Sequence, residues 1–178
     1  NIQYHNDESL TVTCIDNNKK GVASTNNLSN ESINPTIKKS ETIASFLEPD
    51  SYQGLPSENL INELDIECGI NFPKQFTTDE LIKLTVECEK SALEFDKKIK
   101  NSEGSEYAYS QSNNLILNSY GATGSYSSTS YTLSCVVIAE DKDLKERDYA
   151  YTTRRNFEKT DSAKKIGQLS AEKAISRL

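Results

Sequence analysis

Residues 131–152 read YTLSCVVIAEDKDLKERDYAYT, and the pattern of this stretch decides the fold class. Apolar and polar side chains alternate through its first half, which is the two-residue period of a β-strand. Val136 and Ile138 make the second face of that strand apolar as well, so we expect it in the centre of a sheet. The charged residues 140–143 form a turn, after which the alternation resumes. The stretch therefore predicts two neighbouring antiparallel strands.

Two further strands are expected immediately upstream of this pair. Tyr107 and Tyr109 alternate with small residues, which indicates one strand. The polar residues 112–114 are typical of a turn, and Leu115 and Leu117 are then expected to begin another strand. Together with the downstream pair, this part of the chain predicts four antiparallel strands.

The beginning of the chain predicts a β-hairpin followed by a helix. Strands are expected over residues 10–14 and 22–25, joined by a loop in which Gly21 supplies a positive φ. A helix is expected over residues 29–47, with its apolar side chains on one face. Pro35 lies past the first turn of that helix, so we expect a kink or a later start.

Two amphipathic helices and a long connection complete the pattern. Residues 51–76 show no clear period and are expected to be irregular. Thr77 and Glu80 have the spacing of a capping box, and an apolar stripe over residues 81–99 then predicts a helix of five turns. A last helix is expected over residues 162–178.

Strands that occur in blocks joined by tight turns are typical of α+β folds. We therefore predict an α+β fold in which antiparallel sheets pack with amphipathic helices, as one domain over residues 1–178. The chain contains no methionine, and its last residues continue a helical pattern. We accordingly expect a fragment that is truncated at both ends.

Charge and hydropathy exclude two classes of partner. The formal net charge is −7, and phosphate backbones attract basic surfaces, so we expect no nucleic-acid partner. The longest apolar run covers only residues 135–139, whereas a helical membrane span needs about 20 residues. We therefore expect no membrane partner either.

The four cysteines are far apart in the sequence, so they form neither a redox CxxC motif nor a zinc ribbon. Cys88 falls on a helical apolar stripe, while Cys14 and Cys135 fall inside strands, which favours buried thiols in a cytoplasmic protein. The alternative is a secreted, disulfide-linked, β-rich surface protein, with which the glycosylation sequons at residues 27–29 and 30–32 agree.

The sequence offers no catalytic residues. His5 is the only histidine, so a metal site with two imidazoles one helical turn apart cannot occur, and we expect no metal or cofactor in this chain. A serine nucleophile would also require a base, and His5 lies in a turn near the chain end. Residues 121–124 contain two glycines but lack the lysine of a phosphate-binding loop.

Two clusters are candidates for contact with a substrate or partner. Residues 146–151 interleave charges and aromatic rings on a strand, and such a strand edge can bind an extended peptide; Arg147, Tyr149 and Tyr151 are the leading candidates. Asn101 and Glu103 follow, at the expected change from helix to strand. The alternatives are an exposed strand with cross-strand pairs for the first cluster and a helix stop for the second.

Five segments occur in the order and spacing of one known family: residues 18–25, 101–104, 134–140, 146–151 and 175–178. In these segments the chain resembles the PmbA-type, or TldE-type, subunits of the TldD/PmbA metalloprotease family. The resemblance extends over essentially the whole chain. It implies that residues 1–178 are a partial N-terminal domain of such a subunit, truncated at both ends, and that the C-terminal domain lies outside this sequence.

The resemblance implies a function at the level of an assembly. Members of the family pair as a cytoplasmic peptidase that digests unfolded peptides, with zinc held in the C-terminal domain of the TldD-like subunit. A PmbA-type subunit lacks those ligands, so no catalytic residue is carried over to this chain. We therefore expect a heterodimer subunit that serves as chamber wall, presents substrate and contacts a TldD-like partner. The alternative is a non-enzymatic peptide-binding or scaffold domain.

Overall fold

The computed structural model describes residues 1–60 and 67–178, and the chain divides into two compact units, residues 1–62 and 63–178. The part of the expected irregular connection at residues 61–66 lies outside the described residues. Helices and antiparallel strands in separate blocks confirm the predicted α+β class. The assignment of residues 1–178 to one partial N-terminal domain stays a prediction.

The first unit consists of a hairpin with a helix packed against it. Strand β1 covers Leu10–Asp16, strand β2 covers Lys19–Thr25, and helix α1 covers Asn30–Phe46. Two residues turn the hairpin, Asn17 at φ 49° and Asn18 at φ 63°, and asparagine tolerates this left-handed region better than most residues. The turn is thus shorter than predicted, and the expected role of Gly21 in the loop is wrong.

Gly21 instead lies inside β2 and pairs with Cys14, where it allows α1 to approach the strand. A Cβ atom at this position would lie 1.9 Å from the carbonyl oxygen of Ser40 on α1. Only glycine permits backbone contact this close. Pro35 lies within α1, which begins at Asn30, so the expected later start is wrong.

The second unit is a three-stranded antiparallel sheet with two helices. Helix α2 covers Thr78–Leu93, β3 covers Ile99–Leu117, β4 covers Thr123–Asp141, β5 covers Leu144–Arg154, and α3 covers Ala163–Ser176. The strand order is β3-β4-β5, so β4 is central as predicted. The predicted capping box of Thr77 and Glu80 is also confirmed at the start of α2.

Two predicted boundaries in this unit are wrong. Residues 112–114 do not turn the chain, because β3 continues through them, and the described part of the unit has three long strands instead of four. Helix α2 ends at Leu93 instead of Ile99, where β3 begins. The side chain of Asp96 accepts a hydrogen bond from the Lys98 amide at 2.8 Å, and this local turn redirects the chain from helix to strand.

Both helices pack on one face of the sheet, and the core lies between them and β4. Its buried side chains are Cys88, Ala92, Ile99, Leu133, Cys135, Val137, Ala139, Ala150, Ala163, Ile166, Ala171 and Ala174. A hydrogen bond with the Cys135 thiol, together with burial, raises the pKa of the Cys88 thiol, so this side chain stays neutral in the core. The structure holds Cys14, Cys88 and Cys135 as thiols.

The opposite face of the sheet, here called the outer face, is not covered by either helix. Val136 and Ile138 of β4 point to it and are half-buried. Strand β4 therefore lies between two other strands, but its face that carries Val136 and Ile138 remains partly accessible in this chain. In the described part of the chain, no helix combines the length and the apolar character that crossing a membrane requires.

Candidate functional site

A β-bulge on β3 shapes the outer face. The pairing of β3 with β4 shifts between Ser102 and Gly104, which leaves Glu103 as an extra residue in the strand. The Ser102 hydroxyl donates to the Val136 carbonyl at 3.1 Å and accepts from the Gly104 amide at 2.8 Å. Ser102 therefore binds backbone groups that the bulge would otherwise leave without partners. The alternative of a helix stop at residues 101–104 is wrong, since these residues lie inside β3.

The bulge directs Glu103 across the central strand to Arg147 on β5. The Nε atom of Arg147 donates to Oε1 of Glu103, and an Nη atom donates to Oε2, both at 2.8 Å. This two-pronged geometry fixes the orientation of both side chains. The bond to Arg147 holds the pKa of the Glu103 carboxyl below its usual value, so the ion pair persists to lower pH than a free glutamate would allow.

The other predicted contact residues lie on the same face. Asn101 and Arg147 pair with Ile138 from opposite sides, which places all three in one cross-strand row. The rings of Tyr149 and Tyr151 stack with centroids 6.2 Å apart and are 50% and 60% exposed. The structure thus brings all five predicted residues to the outer face of one sheet. Their contact with a substrate or partner stays a prediction.

The free edge of β5 is partly closed at this site. The Tyr149 amide donates to its neighbour Asp148 at 2.7 Å, and the Lys173 ammonium of α3 donates to the Tyr149 carbonyl at 3.4 Å. A peptide that added to β5 here would have to displace both bonds. The exposed side chains of the outer face are therefore better placed for contact than the backbone edge of β5.

Sequence reasoning missed Ser102, Asp148 and Lys173. Ser102 fills a bulge whose position depends on strand register, and Lys173 lies 24 residues from the carbonyl that it binds. The available signal was the alternation of opposite charges on β3 and β5, which favours cross-strand ion pairs.

Gly104 holds the bulge open, and its replacement by alanine is expected to destabilise the sheet by about 1–2 kcal/mol, since its φ of +110° disfavours any Cβ atom. No atom lies within 4 Å of the position such a Cβ would take, so the cost is conformational. Hydrogen exchange of the β4 amides in the full-length protein measures this change. Gly124→Ala is the matched control, with open space and no positive φ; equal effects of the two substitutions would contradict the argument.

The described residues do not fit a metal site. Within residues 1–60 and 67–178, no three His, Cys, Asp or Glu side chains lie close enough together to share an ion. His5 is exposed near the chain end, and the buried pair Cys88 and Cys135 belongs to no such group within the described residues. A hydrolytic zinc ion needs at least three protein ligands and an open position for water.

A family model and two curated relatives that match this chain all carry the name PmbA. A family model described as "PmbA/TldA metallopeptidase central domain" matches residues 72–178. Over 178 residues, the chain is 33% identical to "Metalloprotease PmbA" of Escherichia coli O157:H7 and 32% identical to "Metalloprotease PmbA homolog" of Haemophilus influenzae. Each alignment covers the whole chain and 40% of the relative, so the chain spans less than half of either protein.

Solved structures show the same fold. A candidate modulator of DNA gyrase from Bacteroides thetaiotaomicron superimposes with a TM-score of 0.84 at 21% identity, covering 96% of this chain and 39% of that one. TldE from Thermococcus kodakarensis superimposes with a TM-score of 0.65 at 18% identity, covering 94% of this chain and 37% of that one. At these identities the likeness concerns the fold alone.

Proposed function

The chain belongs to the PmbA/TldD metallopeptidase family, and from this premise we propose that it is part of a PmbA-type subunit that assists peptide cleavage without holding the metal. The observation that carries the proposal is the outer face, which presents an oriented ion pair beside two exposed tyrosines. The described residues, by contrast, contain no cluster of metal ligands. In this proposal residues 1–178 are a partial N-terminal domain that forms a chamber wall and presents substrate.

The proposed partner at the outer face is a TldD-like subunit. Arginine and tyrosine are enriched at protein interfaces, where they often contribute most of the binding energy. The Glu103–Arg147 pair is already formed in the free chain, with its two side chains 45% and 54% exposed, so docking does not have to order these groups. Half-buried Val136 and Ile138 give the face an apolar centre.

In this proposal the partner subunit supplies the catalytic zinc, which would activate water for hydrolysis of an unfolded peptide in the cytoplasm. The contribution of this chain is to position the partner and to help keep the peptide extended. No residue of the chain is assigned a role in the chemical step.

The contact is tested with the full-length protein and a purified TldD-like subunit. Arg147→Ala, and separately the double change Tyr149→Ala with Tyr151→Ala, are expected to weaken subunit affinity at least tenfold, because truncating a central aromatic or arginine anchor commonly has this effect. Surface plasmon resonance measures the affinity. Tyr52→Ala is the control, since Tyr52 is 94% exposed and belongs to the other unit.

Two outcomes would overturn parts of this proposal. Unchanged partner affinity in both outer-face variants would remove the contact role. Absence of peptide cleavage by the full-length protein together with its histidine-bearing partner would remove the peptidase role and favour the alternative of a non-enzymatic peptide-binding or scaffold domain.

A further inference from the structure

The hairpin formed by β3 and β4 extends beyond β5 as a two-stranded arm with an unusual composition. The arm, residues 110–130, contains no Asp, Glu, Lys, Arg or His, although 26% of the chain is charged. The arm is rich in Tyr, Ser, Asn and Gly, the residues that dominate adaptable recognition surfaces. Depletion of charge is likewise typical of the centre of protein interfaces.

The arm has an open strand edge. β5 pairs with β4 only from Tyr131 onward, so residues 123–130 of β4 pair with β3 alone. The Thr129 amide points away from β3 and donates to the Ile70 carbonyl at 3.1 Å. Because backbone direction alternates along an antiparallel strand, the N–H and C=O groups of Ser127 and Ser125 point to the same open side.

A groove runs along this edge. Residues 70–72 follow β4 in parallel, since Ile70 bonds to Thr129 and the Phe72 carbonyl accepts from the Tyr131 hydroxyl at 2.5 Å. Toward residue 67 the segment separates from β4, and among the described residues no backbone bond joins it to Ser125 or Ser127. The gap has a volume of about 490 Å³ and is lined by residues 67–71, by Asn113 and Asn114 of β3 and by Ser125–Ser127 of β4.

We propose that the edge of β4 at Ser125–Ser127 binds an extended polypeptide, which enters the groove and adds to the sheet as a strand. The chain itself sets the precedent, because residues 70–72 already bond to this edge at its next outward-facing residue. Backbone bonds are independent of side-chain identity, and the serines leave room for varied side chains, so the ligand class is unfolded peptide without a fixed sequence.

A peptide fits this edge better than a folded partner does. The groove is lined by residues of the β3–β4 arm and by residues 67–71. The volume of about 490 Å³ lies within the range of pockets that hold small or extended ligands, which suits one peptide segment better than a folded domain. The inference goes beyond the proposed function by adding a peptide site, and it rests on that function only in expecting the ligand to be a substrate.

The test uses the full-length protein and a fluorescein-labelled, unstructured decapeptide followed by fluorescence anisotropy. Ser127→Pro removes one outward N–H, and an edge strand tolerates proline where its N–H faces solvent. We expect the dissociation constant to rise about three- to tenfold, the equivalent of one backbone hydrogen bond. Ser127→Ala is the matched control, because it retains the N–H and removes only the hydroxyl bond to Asn113 at 2.6 Å.

A second probe tests the proposal if the Ser127→Pro variant does not fold. The same decapeptide, N-methylated at its six central residues, cannot donate to the edge and is expected to bind the unchanged protein at least tenfold more weakly. Equal binding of the two peptides, or equal binding to the proline and alanine variants, would overturn the proposal. Loss of affinity for the TldD-like subunit in Ser127→Pro, with peptide binding intact, would also overturn it by assigning the edge to a partner strand.

Failure of the proposed function gives a different result. Peptide binding that remains sensitive to Ser127→Pro, without cleavage in the presence of the partner, would retain the edge site and remove the peptidase role. Conversely, peptide cleavage with the partner, together with peptide binding that is unaffected by Ser127→Pro and by N-methylation, would retain the peptidase role and remove the edge site.

Discussion

Replacing Tyr131 with alanine is expected to lower the free energy of unfolding of the second unit by about 3–5 kcal/mol, the usual cost of removing a buried aromatic ring. Tyr131 is fully buried. Its ring stacks on Tyr109 with centroids 4.9 Å apart and meets Phe76 and Phe157 edge-on at 6.0 and 5.9 Å. Alanine would remove all three contacts and leave a cavity at the start of the arm.

The measurement is native-state hydrogen exchange of the β4 amides in the full-length protein, which reports the opening free energy of this unit. Tyr131→Phe is the control, since it keeps the ring and removes only the hydroxyl bond to the Phe72 carbonyl. That loss is expected to cost about 0.5–1.5 kcal/mol. If the alanine variant were no less stable than the phenylalanine variant, the cluster would not stabilise the unit as argued.

The second large effect is expected from Gly167→Ala on α3, which should destabilise the same unit by about 2 kcal/mol. A Cβ atom at Gly167 would lie 2.1 Å from the Cys88 carbonyl oxygen and 3.0 Å from the Ala92 amide nitrogen, both on the backbone of α2. Neither atom can move away by a rotamer change, so the two helices must separate. Overpacking costs about 1–3 kcal/mol, and a clash with backbone atoms lies at the upper end of that range. The better helix propensity of alanine offsets about 1 kcal/mol, which leaves about 2 kcal/mol.

The same exchange measurement tests this prediction, with Ser176→Ala as a control on the same helix, where the side chain makes only a local bond to the Lys173 carbonyl. The control should change stability by less than about 0.5 kcal/mol. Unchanged or increased stability in Gly167→Ala would show that α2 and α3 are not held together through this close contact.

Elements with a strong local period could be predicted from the sequence. The alternation of β4 and β5, the capping box before α2 and the final helix all depend on neighbouring residues, and the structure confirms them. The turn expected at residues 112–114 was wrong because its polar residues find partners across the strands. Ser112 and Ser128 share a hydroxyl bond at 2.9 Å, and Ser127 bonds to Asn113, so β3 continues.

The sequence was sufficient to predict which residues belong to the candidate site, but not which of them contact each other. Charges and aromatic rings in alternation identified Arg147, Tyr149 and Tyr151, since that pattern is local. The bond between Glu103 and Arg147 joins residues 44 positions apart and depends on a bulge, which follows from sheet register. The apolar stripe past Leu93 was misleading for a similar reason, because Phe95 keeps the helical spacing although α2 has already ended at Leu93.

The two bonds at the Tyr149 backbone have a consequence for how copies of the protein associate. An edge strand with unpaired backbone groups can pair with the same strand of another molecule, and repetition of that pairing produces open-ended fibres. Asp148 and Lys173 occupy the donor and acceptor that such a contact would use first. The two bonds at Tyr149 therefore oppose fibre formation through the edge of β5. The exposed side chains of the outer face remain available for a contact that joins a fixed number of subunits.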